Sequence, residues 1–93
     1  MKEMIPSEFH LSQNYPNPFG ERTTIKFCVP CKSKVCVDIV NAESGFVRRV
    51  QDEEREAGTF EIELDAREMA EGNYICVLQA GDFMATKRMT LKR

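Results

Sequence analysis

Tryptophan is absent from this 93-residue chain, and histidine occurs once. No apolar run approaches the roughly 20 residues that a membrane-spanning helix needs, which excludes insertion by that route. The opening octapeptide M-K-E-M-I-P-S-E lacks the apolar centre of a signal peptide, so the polypeptide taken alone is expected to stay inside the cell. A formal net charge of −2 and a pI near 5.4 provide no basic field, which argues against nucleic acid as a partner. With a single imidazole, any Ser-His-Asp or Cys-His pair would have to recruit His10, which sits between Phe9 and Leu11 near the N-terminus. No glycine-rich loop leads from a strand into a helix, so a phosphate cradle is missing as well. Glu61 and Glu63 alternate with apolar residues and need only solvent to explain them. Nothing in the chain supports catalysis or a cofactor.

What is present suffices for one small domain with one core. Hydrophobic residues at 42% and charged residues at 30% place the chain well inside the range that folds. Charge is distributed unevenly. Asp52, Glu53, Glu54 and Glu56 make the middle acidic, whereas Lys87, Arg88, Lys92 and Arg93 make the end basic; the plain reading of both runs is a solvated face.

The densest local signal is Gln13-Asn14-Tyr15-Pro16-Asn17-Pro18-Phe19. Each proline fixes its own φ and pushes the preceding residue out of the helical region, so Tyr15 and Asn17 are expected to be extended. The segment reads as a rigid edge ribbon leading into a sheet, with Tyr15 and Phe19 as apolar anchors for a terminus that would otherwise fray.

Strand periodicity follows immediately. Ile25, Phe27 and Val29 alternate with Thr24, Lys26 and Cys28; after Pro30 and a Lys32-Ser33-Lys34 turn, Val35, Val37 and Ile39 alternate with Cys36 and Asp38. Asn41 to Gly45 reads as a turn, and Val47 and Val50 mark a short strand carrying Arg48 and Arg49 outward. Gln51 to Ala57 is charged enough to be a loop. Phe60, Ile62 and Leu64 then alternate with acidic residues, and Asp65 to Glu71 predicts one short helical turn with Met69 tucked in, being too brief for a stable helix. From Gly72, the strand N-Y-I-C-V-L-Q-A is apolar on both faces and so belongs in the middle of a sheet; Gly81-Asp82 marks a hairpin, and Phe83 to Leu91 returns as the last strand. The expected fold is all-β, an immunoglobulin-like sandwich of about seven short antiparallel strands.

The cysteines allow several readings. Cys28 and Cys31 form a C-x-x-C with Cys36 five residues on, which makes the three weak metal candidates, but the second pair of a zinc site is missing and Cys76 falls on a core face. A redox C-x-x-C would start a helix, and this one straddles a strand end and a proline. Should the two flanking strands form a hairpin, Cys28 and Cys36 would face each other and could form a disulfide; should they lie in opposite sheets, they could not. Four cysteines suit an oxidising compartment, and four idle thiols fit equally.

Taken together, F-H-L-S-Q-N-Y-P-N-P-F at Phe9 to Phe19, T-T-I-K-F-C-V-P at Thr23 to Pro30, V-C-V-D-I-V-N at Val35 to Asn41, Ala57-Gly58, G-N-Y-I-C-V-L-Q-A-G-D-F at Gly72 to Phe83, and T-K-R-M-T-L-K at Thr86 to Lys92 resemble the type A C-terminal sorting domain of type IX secretion cargo. The resemblance covers nearly the whole chain. Gly72 and Tyr74 belong to its motif, as does the Gln13 to Phe19 segment. Gly20-Glu21 stands where that family usually has Asn-Pro, Gly45 falls one place late, and Cys76 replaces a frequent aromatic. The immunoglobulin-like domain of the flagellar hook-capping protein is a related family that shares N-P-F and the strand pattern. It usually carries Trp-Asp-Gly where Leu64-Asp65-Ala66 stands here, which favours the sorting domain.

The resemblance implies a non-catalytic export signal read as a folded domain at residues 9–93, preceded by an N-terminal linker or tail at 1–8 and a cargo domain N-terminal to that. It implies partners in the outer-membrane secretion and sortase machinery, with passage through the periplasm to the cell surface or beyond. The leaderless start then suggests a piece of a longer precursor. Recognition is expected at the last strand and its hairpin, through Gly81, Asp82, Lys87, Arg88, Met89, Leu91, Lys92 and Arg93. The alternative is a structural or adhesive module that packs against neighbouring domains or subunits.

Overall fold

The computed structural model describes residues 7–92. Every regular element among them is a strand: β1 (His10–Leu11), β2 (Arg22–Val29), β3 (Ser33–Asn41), β4 (Val47–Arg55), β5 (Gly58–Asp65), β6 (Gly72–Ala80) and β7 (Phe83–Leu91). Two sheets result, ordered β1-β2-β5 and β4-β3-β6-β7, with antiparallel pairing throughout both. The architecture is an all-β sandwich compatible with the immunoglobulin-like class.

Alternation along the strands builds the core. Ile25, Phe27 and Val29 of β2 and Leu64 of β5 face Val35, Val37 and Ile39 of β3, Tyr74, Cys76 and Leu78 of β6, and Met89 and Leu91 of β7, all of them buried. Full burial of one large aliphatic or aromatic side chain contributes about 1.5–3 kcal/mol. Pro30 to Lys32 carries the chain from one sheet to the other between β2 and β3, which separates the two strands that a hairpin would have joined.

Four expectations are corrected. Gln51 to Arg55 is not a loop, because β4 runs to Arg55 and pairs with β3 from Val40↔Val47 to Ser33↔Arg55. Its charged residues are compatible with a strand because β4 is a sheet edge, and cross-strand partners match them: Lys34 to Asp52, Lys32 to Glu54 and Arg49 to Asp38. A register shift between Val37 and Asp38 inserts Val50 as an extra residue, so Arg49 lies outward opposite Asp38 while Arg48 lies opposite inward-facing Ile39. Arg48 therefore spans the flank between sheets, its guanidinium 3.4 Å from the Asp65 carbonyl, rather than facing outward. The segment after β5 is a hydrogen-bonded turn, not a helical one: the Met69 N–H donates to the Ala66 carbonyl at 3.0 Å, with Ala66 buried and Met69 packed on the core.

Tyr15 is not an apolar anchor. Its backbone bridges Thr24 through two hydrogen bonds of 2.9 and 3.0 Å. Thr24 occupies an outer-face position of β2, so the Tyr15 ring shares that face and is 81% exposed. Phe19, at 1% exposure, is the anchor, together with Leu11. Both Pro16 and Pro18 follow cis peptide bonds, and the chain bends through them instead of running straight. It leaves the β2 edge at Tyr15 and reaches Leu91 of β7, in the other sheet, at Phe19. Replacing Phe19 by Ala should cost about 3–5 kcal/mol in urea-induced unfolding, whereas Tyr15→Ala should change stability by no more than about 0.5 kcal/mol.

Candidate functional site

The final hairpin is built by local rules. β6 and β7 pair from Ala80↔Phe83 to Gly72↔Leu91 with no register shift. Only the first residue of the two-residue loop, Gly81, has positive φ (58°), the pattern of a type II′ turn in which glycine is favoured at that position. Asp82 completes the loop, and the Gly81 N–H donates to the Lys34 carbonyl at 3.2 Å. β6 lies between β3 and β7, so its residues are covered on both edges; Ile75 and Val77, on the outer face, are half-buried.

The pleat divides the residues expected to form one recognition patch. Met89 and Leu91 are core residues at 0% and 1% exposure, so in the folded domain neither is available to a partner. Lys87 lies cross-strand from buried Cys76 and is half-buried on the inner side of the sheet rim, whereas Arg88 lies cross-strand from Ile75 on the outer face. Lys92 follows the strand and is exposed. Arg93 lies outside the described residues, as do positions 1–6 of the expected linker. The basic end of the chain is thus split between two faces.

β7 is an edge strand, and the N-terminal motif closes half of that edge. The Phe19 N–H donates to the Thr90 carbonyl at 2.9 Å, and the Lys92 N–H donates to the Phe19 carbonyl at 2.9 Å. Asn17 Oδ1 accepts from the Thr90 N–H at 2.9 Å, and Gln13 Nε2 donates to the Arg88 carbonyl at 2.6 Å. Behind these contacts Asn14, only 3% exposed, donates to Thr23 Oγ1 at 3.0 Å and to the Pro16 carbonyl at 3.1 Å, and the Thr23 hydroxyl donates to the same carbonyl at 2.9 Å. The polar residues of the motif are therefore satisfied by β2, by β7 and by the motif's own bend. At the start of β6, Gly72 pairs with Leu91, and the Tyr74 hydroxyl donates to the Ala70 carbonyl at 2.5 Å, tying the turn after β5 to the same sheet.

The cysteines do not converge. Cys28 lies on the outer face of the β1-β2-β5 sheet with its sulfur 3.5 Å from Thr59 Oγ1, and Cys36 lies on the opposite outer face with its thiol donating to Asp52 at 3.4 Å. The conditional disulfide is excluded because β2 and β3 belong to different sheets, and all four thiols are free. Cys31 is exposed in the connection between them. His10 is the cross-strand partner of Cys28 in β1, yet among the described residues no three donors gather around a common point. Burial pushes the Cys76 thiol up to about 12, with Asp38 adding to the effect.

One feature escaped the sequence. Where the turns after β3 and β5 meet, Ile39, Phe46, Val47, Met69 and Tyr74 line an open cleft of about 570 Å³ with Arg48 and Glu68 at its mouth. Phe46 is 70% exposed, and an aromatic placed just after a glycine turn was the available signal.

Fold and site define a small all-β domain whose C-terminal strand is a sheet edge clasped by its N-terminal motif. A family model described as a secretion system C-terminal sorting domain matches residues 13–92, and the chain belongs to that family, the sorting domains of type IX secretion. The family is non-catalytic in general. No curated protein and no solved structure matches the chain.

The placement of the thiols yields a direct test. In the native state at mild alkaline pH, Cys31 should react fastest with a thiol reagent and Cys76 should remain unmodified until the domain unfolds. Because the folded-state value of Cys76 lies above the ordinary 9.0, its contribution to stability is complete below that pH and is lost as pH rises toward about 12. Urea midpoints measured over that window should fall less steeply for Cys76→Ala than for the parent.

Proposed function

We propose that the chain is a non-catalytic C-terminal sorting signal. It directs a cargo protein attached N-terminally through the periplasm and the outer membrane by type IX secretion, to the cell surface or outside. Residues 9–93 act as the sorting domain and 1–8 as its linker, and a sortase-like peptidase of the machinery removes the domain after passage. The observation that carries this reading is the family match over nearly the whole chain. Recognition falls on the last hairpin through Gly81, Asp82, Lys87, Arg88, Lys92 and Arg93; Met89 and Leu91 contribute by holding β7 in place from the core. Kinship with the immunoglobulin-like domain of the flagellar hook-capping protein is part of the proposal and is supported by Asn17-Pro18-Phe19 and the strand pattern. A second reading, an adhesive or structural module, has one observation in its favour, the apolar cleft with exposed Phe46 and Val47.

Fusion of this chain to the C-terminus of a fluorescent reporter that carries an export signal peptide tests the proposal in a bacterium with the type IX machinery. The reporter should reach the surface or the medium in that strain and accumulate in the periplasm when the machinery is deleted. Periplasmic retention in both strains, with the domain folded, would refute the sorting reading and favour the adhesive one.

A further inference from the structure

The sandwich has four sheet edges, and they differ in what they offer. β1 is only two residues long. β5 carries Glu61 and Glu63 on its outer side, and Glu63 is already paired with Arg22. β4 is long, but its Arg49, Asp52, Glu53, Glu54 and Arg55 all take part in ion pairs that stud the edge with satisfied charge, a common device against strand addition. β7 differs from all three. Its even-numbered residues direct their backbone groups to the free side, as the contacts at Arg88, Thr90 and Lys92 establish. The N-terminal motif covers Thr90 and Lys92 and takes the Arg88 carbonyl. Among the described residues, nothing takes the N–H and C=O of Met84 and Thr86 or the N–H of Arg88.

Charge sets the same segment apart. Neither β6 nor β7 contains an acidic residue. Among the described residues Lys87 and Arg88 form no ion pair, although most other charged positions on the second sheet do. The two cations flank the open edge from opposite faces, Lys87 from the inner side and Arg88 from the outer, and Met84 adds an apolar surface that is 61% exposed.

We propose that the open edge of β7 at Met84–Arg88 takes an extended acidic segment of a partner protein as an added strand. Main-chain hydrogen bonds to Met84, Thr86 and Arg88 supply affinity, and carboxylates on either face of the incoming strand meet Lys87 and Arg88. The clasp sets the limit of the site: its contacts from Gln13, Asn17 and Phe19 stop the added strand at Arg88, so the docking segment lies nearer the hairpin than the chain end. This inference rests on the sorting reading, in which the partner belongs to the secretion machinery.

Three fusions in the reporter assay separate the two claims: the parent, Thr86→Pro and Arg88→Glu, with Glu61→Lys on the other sheet as a charge control. Thr86→Pro removes an N–H that faces the open edge and leaves the β6 ladder intact, and Arg88→Glu keeps the proposal testable should the proline variant fail to fold. At equal levels of folded periplasmic protein, both variants should lower surface delivery at least tenfold, and Glu61→Lys should leave it at the parental level. Delivery of both variants at the parental level would overturn the edge proposal and leave the sorting reading standing. Failure of the parent itself would remove the sorting reading and with it the proposal that depends on it.

Discussion

The structure depends on how one strand edge is closed. β7 carries two core residues and is the last strand, and without a neighbour on its free side its outer backbone groups would have only water. The segment Gln13 to Phe19 supplies that neighbour by crossing from one sheet to the other and placing Phe19 in the core beside Leu91. Each backbone hydrogen bond so made contributes about 1 kcal/mol net, and burial of the phenyl ring adds more than any one of them. The clasp therefore couples the N-terminal motif to the C-terminal strand, which β6 holds along its other edge.

The same constraint shapes what the domain can present. Closure of the edge over Thr90 and Lys92 leaves the hairpin half of β7 as the accessible backbone, and the pleat sends Lys87 and Arg88 to opposite sides of it. Met89 and Leu91 have no surface to offer in the folded domain, which leaves the hairpin and the side chains around it as its contribution to any surface. It also follows that removing the last five residues would take out two core side chains and the partner of Phe19, so loss of function on truncation would report on folding as much as on recognition.

Much of this was legible in the sequence. Two-residue alternation placed Ile25, Phe27, Val29, Val35, Val37 and Ile39 on the inner faces, and the doubly apolar Tyr74 to Leu78 run located a central strand. Gly81-Asp82 located the hairpin. Where reading failed, tertiary context outweighed local signal. β4 looked like a loop because its charges make sense only beside Lys32, Lys34 and Asp38 on the neighbouring strand and turn, and Arg48 and Arg49 part company through a bulge that no local pattern announces. Tyr15 looked like an anchor by composition, but side-chain direction there follows from its pairing with Thr24. The Cys28 and Cys36 question turned on whether Pro30 to Lys32 joins a hairpin or crosses between sheets. Composition cannot distinguish those two routes.

Native-state hydrogen exchange resolved by residue tests the clasp most directly. The account predicts that the Thr90 and Lys92 amides, held by Asn17 and Phe19, exchange with protection close to that of the core strands, while Met84 and Thr86 on the same edge exchange fast. Equal and fast exchange along all of β7 would contradict it, because the N-terminal motif would then not be closing that edge in solution.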